Sequence, residues 1–208
     1  MDKNIVKRSY SFDIRAGEID GERIIAGRPI VYEVDTDMGF FIERIQRGAL
    51  DGADLMDVRF LVNHDTKMIP LARSRRNNGN STMKMSVDFE GLNLDFVKLD
   101  TENNSTSRSL YSAVSRGDLS GMSFMFSIDG EEWTDLESDK PTRIITKIGA
   151  VYEVSACTFP AYDQTEIYAR DKAALDSARS ALDRARQERA KSLERDKLEL
   201  AKAKLLLL

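Results

Sequence analysis

The chain is short of the residues that most metal and redox chemistry requires. Its 208 residues include one cysteine, Cys157, and one histidine, His64. A lone cysteine excludes an internal disulfide and a cysteine-based zinc site. A lone histidine excludes a two-histidine metal site within one chain. It also means that any Ser–His or Cys–His mechanism contained in one subunit has to use His64. No metal and no cofactor are expected. Long apolar runs are missing too. No segment approaches the about 20 apolar residues of a membrane-spanning helix, and the terminal LLLL is far too short. The N-terminal MDKNIVKRSYSF has no signal-peptide core, so no membrane association is expected. Positive charge is not in excess. The formal net charge is −4, which argues against a nucleic-acid partner, because such a partner requires a basic patch. From Asp171 onward the chain is net positive, so the body before it is more acidic than the total suggests.

What is present is a β-rich pattern. SYSFDIRA and RIIAGRPIVYEV alternate polar and apolar residues around a polar IDGE turn, as a hairpin does. Gly27, Arg28 and Pro29 predict a bulge or bend in its second arm. FIERIQRGAL fits a short strand and a one-turn helix, and DVRFLVNHD is an apolar strand that places His64 at its polar end. RRNNGNS is a loop between further strands. TSRSLYSAVSRGDL has helical spacing, with Leu110, Tyr111, Val114 and Leu119 near one face. Thr106 or Ser107 is the expected cap and Gly117 the expected end. SGMSFMFSIDG is an apolar strand entered through Gly121, and EEWTDLESDKPT is a polar loop around Trp133. RIITKIGAVYEVSACTFPAY is a long β pattern interrupted at Gly149. From Tyr168 the composition shifts to Arg, Lys, Asp, Glu, Ala and Leu without Gly or Pro, which predicts a long, partly coiled-coil-like helix. Many short strands with one internal helix suggest an α+β domain built on a β-barrel over roughly residues 7–169.

Three side chains at separate strand ends can combine into nucleophilic chemistry. A serine needs a base within hydrogen-bond reach, and the base needs a third group to hold its tautomer. Ser123 in G-M-S-F-M-F follows a glycine at a helix-to-strand transition. His64 in V-N-H-D is the one available base. Glu153 in V-Y-E-V-S is a carboxylate in an apolar strand, and burial there requires a partner. Asp65 and Asp163 are rival orienters, and Asp65 is disfavoured because neighbours on a strand point to opposite faces. Cys157 is the rival nucleophile, though V-S-A-C-T-F fits a buried core strand better.

Four blocks in order resemble the tailed-phage (caudovirus) prohead serine proteases, a family related in fold to the herpesvirus assemblins. They are GRPIVYEVDTDMG with FIERIQRGAL, VRFLVNHDTKMIPLARS, LYSAVSRGDLSGMSFMFSI followed by a Trp, and VYEVSACTFPAY. The resemblance implies that Ser123 is the nucleophile, His64 the base and Glu153 the third member. It implies a β-barrel core with surrounding helices, here followed by a long charged C-terminal helix. The expected division is a protease domain over 1–169 and a helical tail over 170–208. Two departures stand out. Met125 replaces the small residue of S-x-G-F, and Ala72 precedes Arg73 where the family often has L-G-R. Backbone groups linked to arginine help form the assemblin oxyanion hole, which makes Arg73 the candidate for that role here.

The function so implied is a serine endopeptidase of prohead maturation, working in the host cytoplasm inside the assembling prohead. Its expected partners are the major capsid protein with its scaffold segment, separate scaffold and other copies of itself. The alternative is a catalytically inactive scaffold or assembly protein with the same fold. Retention of Ser123, His64 and Glu153 together disfavours that alternative.

Overall fold

A computed structural model describes residues 4–10, 14–158 and 172–205. The elements in chain order are β1 (Asn4–Tyr10), β2 (Ile14–Ile19), β3 (Glu22–Val31), β4 (Thr36–Asp37), β5 (Ile42–Ile45), β6 (Arg59–Val62) and β7 (Ala72–Arg73). They continue with β8 (Met83–Val87), β9 (Gly91–Lys98), α1 (Ser105–Ser115), β10 (Gly121–Thr134), β11 (Thr142–Cys157) and α2 (Lys172–Leu205). They form a mixed α+β structure with two sheets.

The larger sheet is organised on β11. Its N-terminal half pairs in parallel with β5, with Thr142 opposite Ile42, and its C-terminal half with β6, with Glu153 opposite Arg59. On its other edge β11 forms a long antiparallel hairpin with β10, and β1 pairs antiparallel with β10 beyond that. The short strands β4 and β7 extend the sheet from β5 and β6. The smaller sheet runs β2-β3-β9-β8. Its β2–β3 turn has Asp20 at φ 52° and Gly21 at φ 79°, the left-handed pair that a two-residue hairpin needs. The pairing of β3 with β9 shifts register on both sides of Gly27, as the Gly-Arg-Pro interruption predicts.

The expected barrel is not found, because neither sheet closes. Closure needs a continuous staggered ladder between the end strands. Isolated backbone bonds link the sheets instead, such as Glu33 N to Ile45 O at 2.9 Å and Thr82 N to Arg73 O at 3.1 Å. SYSFDIRA is also not one strand. Ser9 and Tyr10 end β1 in the larger sheet, whereas Ile14 begins β2 in the smaller one. Turns replace the short helix expected after β5. Trp133 lies on β10, not in a loop.

One apolar core, including Ile25, Phe60, Leu92, Leu94, Phe124, Phe126 and Val154, fills the space between the sheets. Helix α1 covers it with Leu110 and Val114. The helix is capped two or three residues earlier than expected. The Asn104 side chain accepts from Thr106 N and Ser107 N at 2.9 and 3.2 Å, and asparagine is as good a cap as serine. Gly117, at φ 76°, follows its end.

A largely buried ionic network ties four strands of the larger sheet together, β1, β5, β10 and β11. Glu43 and Arg143 are fully buried, Arg8 nearly so. The Arg8 guanidinium forks onto Glu43, with Nη2 2.7 Å from Oε2. Arg143 donates to Glu43 at 3.3 Å and to Glu131 at 2.8 Å. Burial alone would raise the Glu43 pKa, but attraction to Arg8 and then Arg143 outweighs it and leaves the carboxyl below its ordinary value.

Helix α2 has 34 residues, about 51 Å of helix at 1.5 Å per residue. Its N-terminal part is docked. Ala178 packs with Met38 and Phe41, with Phe40, Trp133 and Leu175 around them. The Arg179 guanidinium lies 4.7 Å from the centroid of Phe40. From Arg186 to Lys204 nearly every residue is exposed, including Leu193, Leu198 and Leu200. No helix among the described residues is long and apolar enough to cross a membrane. The expected domain boundary at 169/170 lies outside the described residues.

Candidate active site

The site is built where β10, β11 and the end of β6 meet. Ser123 and Ser155 are register partners across the β10–β11 pair. Glu153, two residues before Ser155, lies on the same face because strand side chains alternate. That face is opposite the one carrying Phe124 and Val154 into the core. Ser123, Glu153 and Ser155 are all buried.

His64 reaches them through a turn rather than by lying on a strand. Asn63 and His64 have φ values of 52° and 56°, so the chain leaves β6 in the left-handed region. Asparagine and histidine tolerate that region better than most residues. The turn is pinned on both sides. Asn63 N donates to Ala156 O at 2.9 Å, and its amide exchanges two 3.0 Å hydrogen bonds with Thr158. His64 N donates to the Ser155 hydroxyl at 3.1 Å.

The imidazole then bridges the two acidic and hydroxylic partners. Its Nε2 is in hydrogen-bond contact with Ser123 Oγ, and its Nδ1 with Glu153 Oε1. The second Glu153 oxygen accepts from the Ser155 hydroxyl at 2.5 Å. Ser155 thus binds the carboxylate and the histidine backbone at once. A carboxylate on Nδ1 fixes the proton there and leaves Nε2 to take the serine proton, the requirement for a serine nucleophile at neutral pH.

A comparison with protein families decides the class. The family model of the caudovirus prohead serine protease matches residues 10–178. The chain belongs to this family. Membership places it among the proteins of phage prohead maturation. The match runs past residue 169 into helix α2, and it leaves all of β1 except Tyr10 outside. None of the curated proteins and none of the solved structures compared matches the chain.

The structure therefore brings Ser123, His64 and Glu153 together and leaves Arg73 apart. Arg73 lies on β7, which is separated from β10 by β6 and β11. Its guanidinium forks onto Asp57 with two 2.6 Å bonds, and this pairing holds the Asp57 carboxyl below its ordinary pKa. Arg73 and Asp57 line a cavity of about 550 Å3 with Asp54, Arg75 and Tyr152, and none of the three site residues lines it. Asp65 is not an orienter either, since its carboxylate accepts from Lys67 N within its own loop at 2.9 Å. Asp163 lies outside the described residues. Cys157 is buried, with its thiol 3.9 Å from the Ser155 carbonyl, and the Nε2 face of His64 is turned to Ser123.

Three contributors escaped the sequence reading. Ser155 was visible as the serine of E-V-S, two residues from Glu153 and therefore on its face. Asn63 was visible in N-H-D as a residue suited to a left-handed turn. Arg8, whose carbonyl oxygen lies 2.6 Å from Ser123 Oγ, carried no local signal.

Proposed function

We propose that the chain is a serine endopeptidase that cleaves capsid proteins inside the assembling prohead. What carries the reading is the single imidazole of His64, bonded on one side to Ser123 and on the other to Glu153. The substrates are the scaffold segment of the major capsid protein, any separate scaffold, and the chain itself.

In this mechanism His64 Nε2 removes the Ser123 proton as Oγ attacks a peptide carbonyl. Glu153 holds the Nδ1 proton and stabilises the imidazolium that forms. His64 then protonates the leaving amine, and water, activated by the same imidazole, hydrolyses the ester. Ser155 keeps Glu153 and the His64 backbone in register with each other. Arg73 is left out of this scheme, because its backbone N–H donates to Thr82 Oγ1 at 2.9 Å and its guanidinium is committed to Asp57. The exposed C-terminal part of α2 serves as the docking element that carries the enzyme onto scaffold, while residues before it form the protease unit.

The test is co-expression with the cognate major capsid protein and measurement of product masses. Defined truncation with wild type and none with Ser123→Ala is expected. Intact capsid protein with both, in shells that contain the chain, would point to an inactive assembly protein instead.

A further inference from the structure

The strand β1 lies almost wholly outside the family match, yet it sits against the nucleophile. It pairs antiparallel with β10, with Ser9 opposite Ser123 and Arg8 opposite Phe124. The Ser123 hydroxyl has one hydrogen, and the Arg8 carbonyl oxygen lies 2.6 Å from it. A main-chain carbonyl of β1 thus lies directly against the nucleophile.

The side chain of the same residue fills a charged socket. Arg8 is 5% exposed and meets Glu43 at full burial. Among the described residues, Glu43 and Glu131 are otherwise ion-paired with Arg143. Two carboxylates against this one guanidinium leave a deficit of one positive charge, and an uncompensated charge is costly at Glu43, which is fully buried, though less so at the partly exposed Glu131. A basic side chain entering with the peptide removes that deficit; a neutral one does not. Val6, two residues earlier and on the same face of the strand, is fully buried in the apolar core.

Building on the endopeptidase reading, we propose that the edge of β10 beside Ser123 is the substrate-strand site. It takes an extended peptide with a basic residue where the carbonyl meets Ser123 and an apolar residue two positions earlier. Main-chain pairing with β10 supplies the general affinity, and the socket supplies the selection. β1 is the first occupant of this site, and the chain cuts itself between Arg8 and Ser9. Ser123 Oγ bonds to the Arg8 carbonyl carbon as its proton passes to His64 Nε2. The Arg8–Ser9 C–N bond breaks, and that proton goes to the Ser9 nitrogen. Water then hydrolyses the ester, restores the Ser123 hydroxyl and leaves residues 1–8 with a C-terminal carboxylate. Their departure opens the β10 edge to other substrates.

The experiment follows the purified full-length chain by intact-mass spectrometry, with the cognate capsid protein as a parallel substrate. Loss of residues 1–8 from wild type but not from Ser123→Ala is expected. Arg8→Lys retains the cleavage, and Arg8→Gln slows it by about tenfold or more. Because Arg8→Gln removes a buried ion pair and can impair folding, synthetic NIVKRSYSFD and its Arg→Gln counterpart are also offered to the wild-type chain. Preference for the arginine peptide by about tenfold or more supports the socket; equal cleavage of the two overturns it. A wild-type chain that cuts capsid protein while its Arg8–Ser9 bond stays intact overturns the proposal and leaves the endopeptidase reading standing. A chain that cuts neither overturns both.

Discussion

Replacing Ser155 by alanine removes one hydroxyl and disturbs two members of the site at once. The hydroxyl donates to Glu153 Oε2 at 2.5 Å and accepts from His64 N at 3.1 Å, and it is fully buried. A hydrogen bond to a charged group contributes about 1.5–3 kcal/mol and a neutral one about 0.5–1.5 kcal/mol. Glu153 would keep its bond to Nδ1, so the imidazole loses support without losing its partner. Part of the lost energy then appears as misorientation in the transition state. A fall in kcat of about 10–100-fold corresponds to roughly 1.4–2.7 kcal/mol. Because Ser155 is fully buried and bonded to Glu153 and His64, KM is expected to stay within about twofold. The assay is steady-state cleavage of a peptide substrate, with thermal melting run alongside to show that the variant is folded. A kcat within twofold of wild type in a folded variant would show that Ser155 does not position the imidazole. A loss as deep as that of Ser123→Ala would show that Ser155 acts as more than a support.

Glu153→Gln keeps the shape but loses the charge that holds the Nδ1 proton, and cleavage is expected to fall by about 10^4 in a rate assay. Glu43→Gln breaks the buried ionic network and should destabilise the fold by about 3–5 kcal/mol in urea denaturation. The Glu43 pKa is lowered by folding, so its contribution is present above the unfolded value of about 4.3 and lost as pH falls through the folded value. Acid unfolding curves should therefore converge for wild type and Glu43→Gln at low pH and separate above about pH 4. Phe41→Ala empties a fully buried position under α2 and should cost about 3–5 kcal/mol, measured by the same denaturation.

The parts of the fold visible in the sequence were those specified locally. The β2–β3 turn follows from Asp20 and Gly21, helix α1 from the spacing of Leu110 and Val114, and α2 from composition alone. What was hidden depends on pairing over long separations. Alternation cannot tell that SYSF and DIRA belong to different sheets, because both segments alternate. Nor can it tell that one long strand, β11, takes two parallel partners, β5 and β6, on the same edge. The barrel expectation failed for that reason, since closure is decided by which edges meet. The site shows the same division. His64, Ser123 and Glu153 stood out through ordered motifs, whereas Ser155, two residues from Glu153 in E-V-S, was passed over. Arg73 was singled out by motif position, whereas its side chain is turned to Asp57 by a partner 16 residues away. The approach of Arg8 to Ser123 spans 115 residues and leaves no local mark.

The central claim is that Ser123, activated by His64, hydrolyses peptide bonds of capsid proteins. The most direct measurement is the mass of the cognate major capsid protein after co-expression with wild type and with Ser123→Ala. One defined truncation is expected with wild type and full-length protein with the variant. Equal truncation with both would contradict the claim and turn attention to another nucleophile.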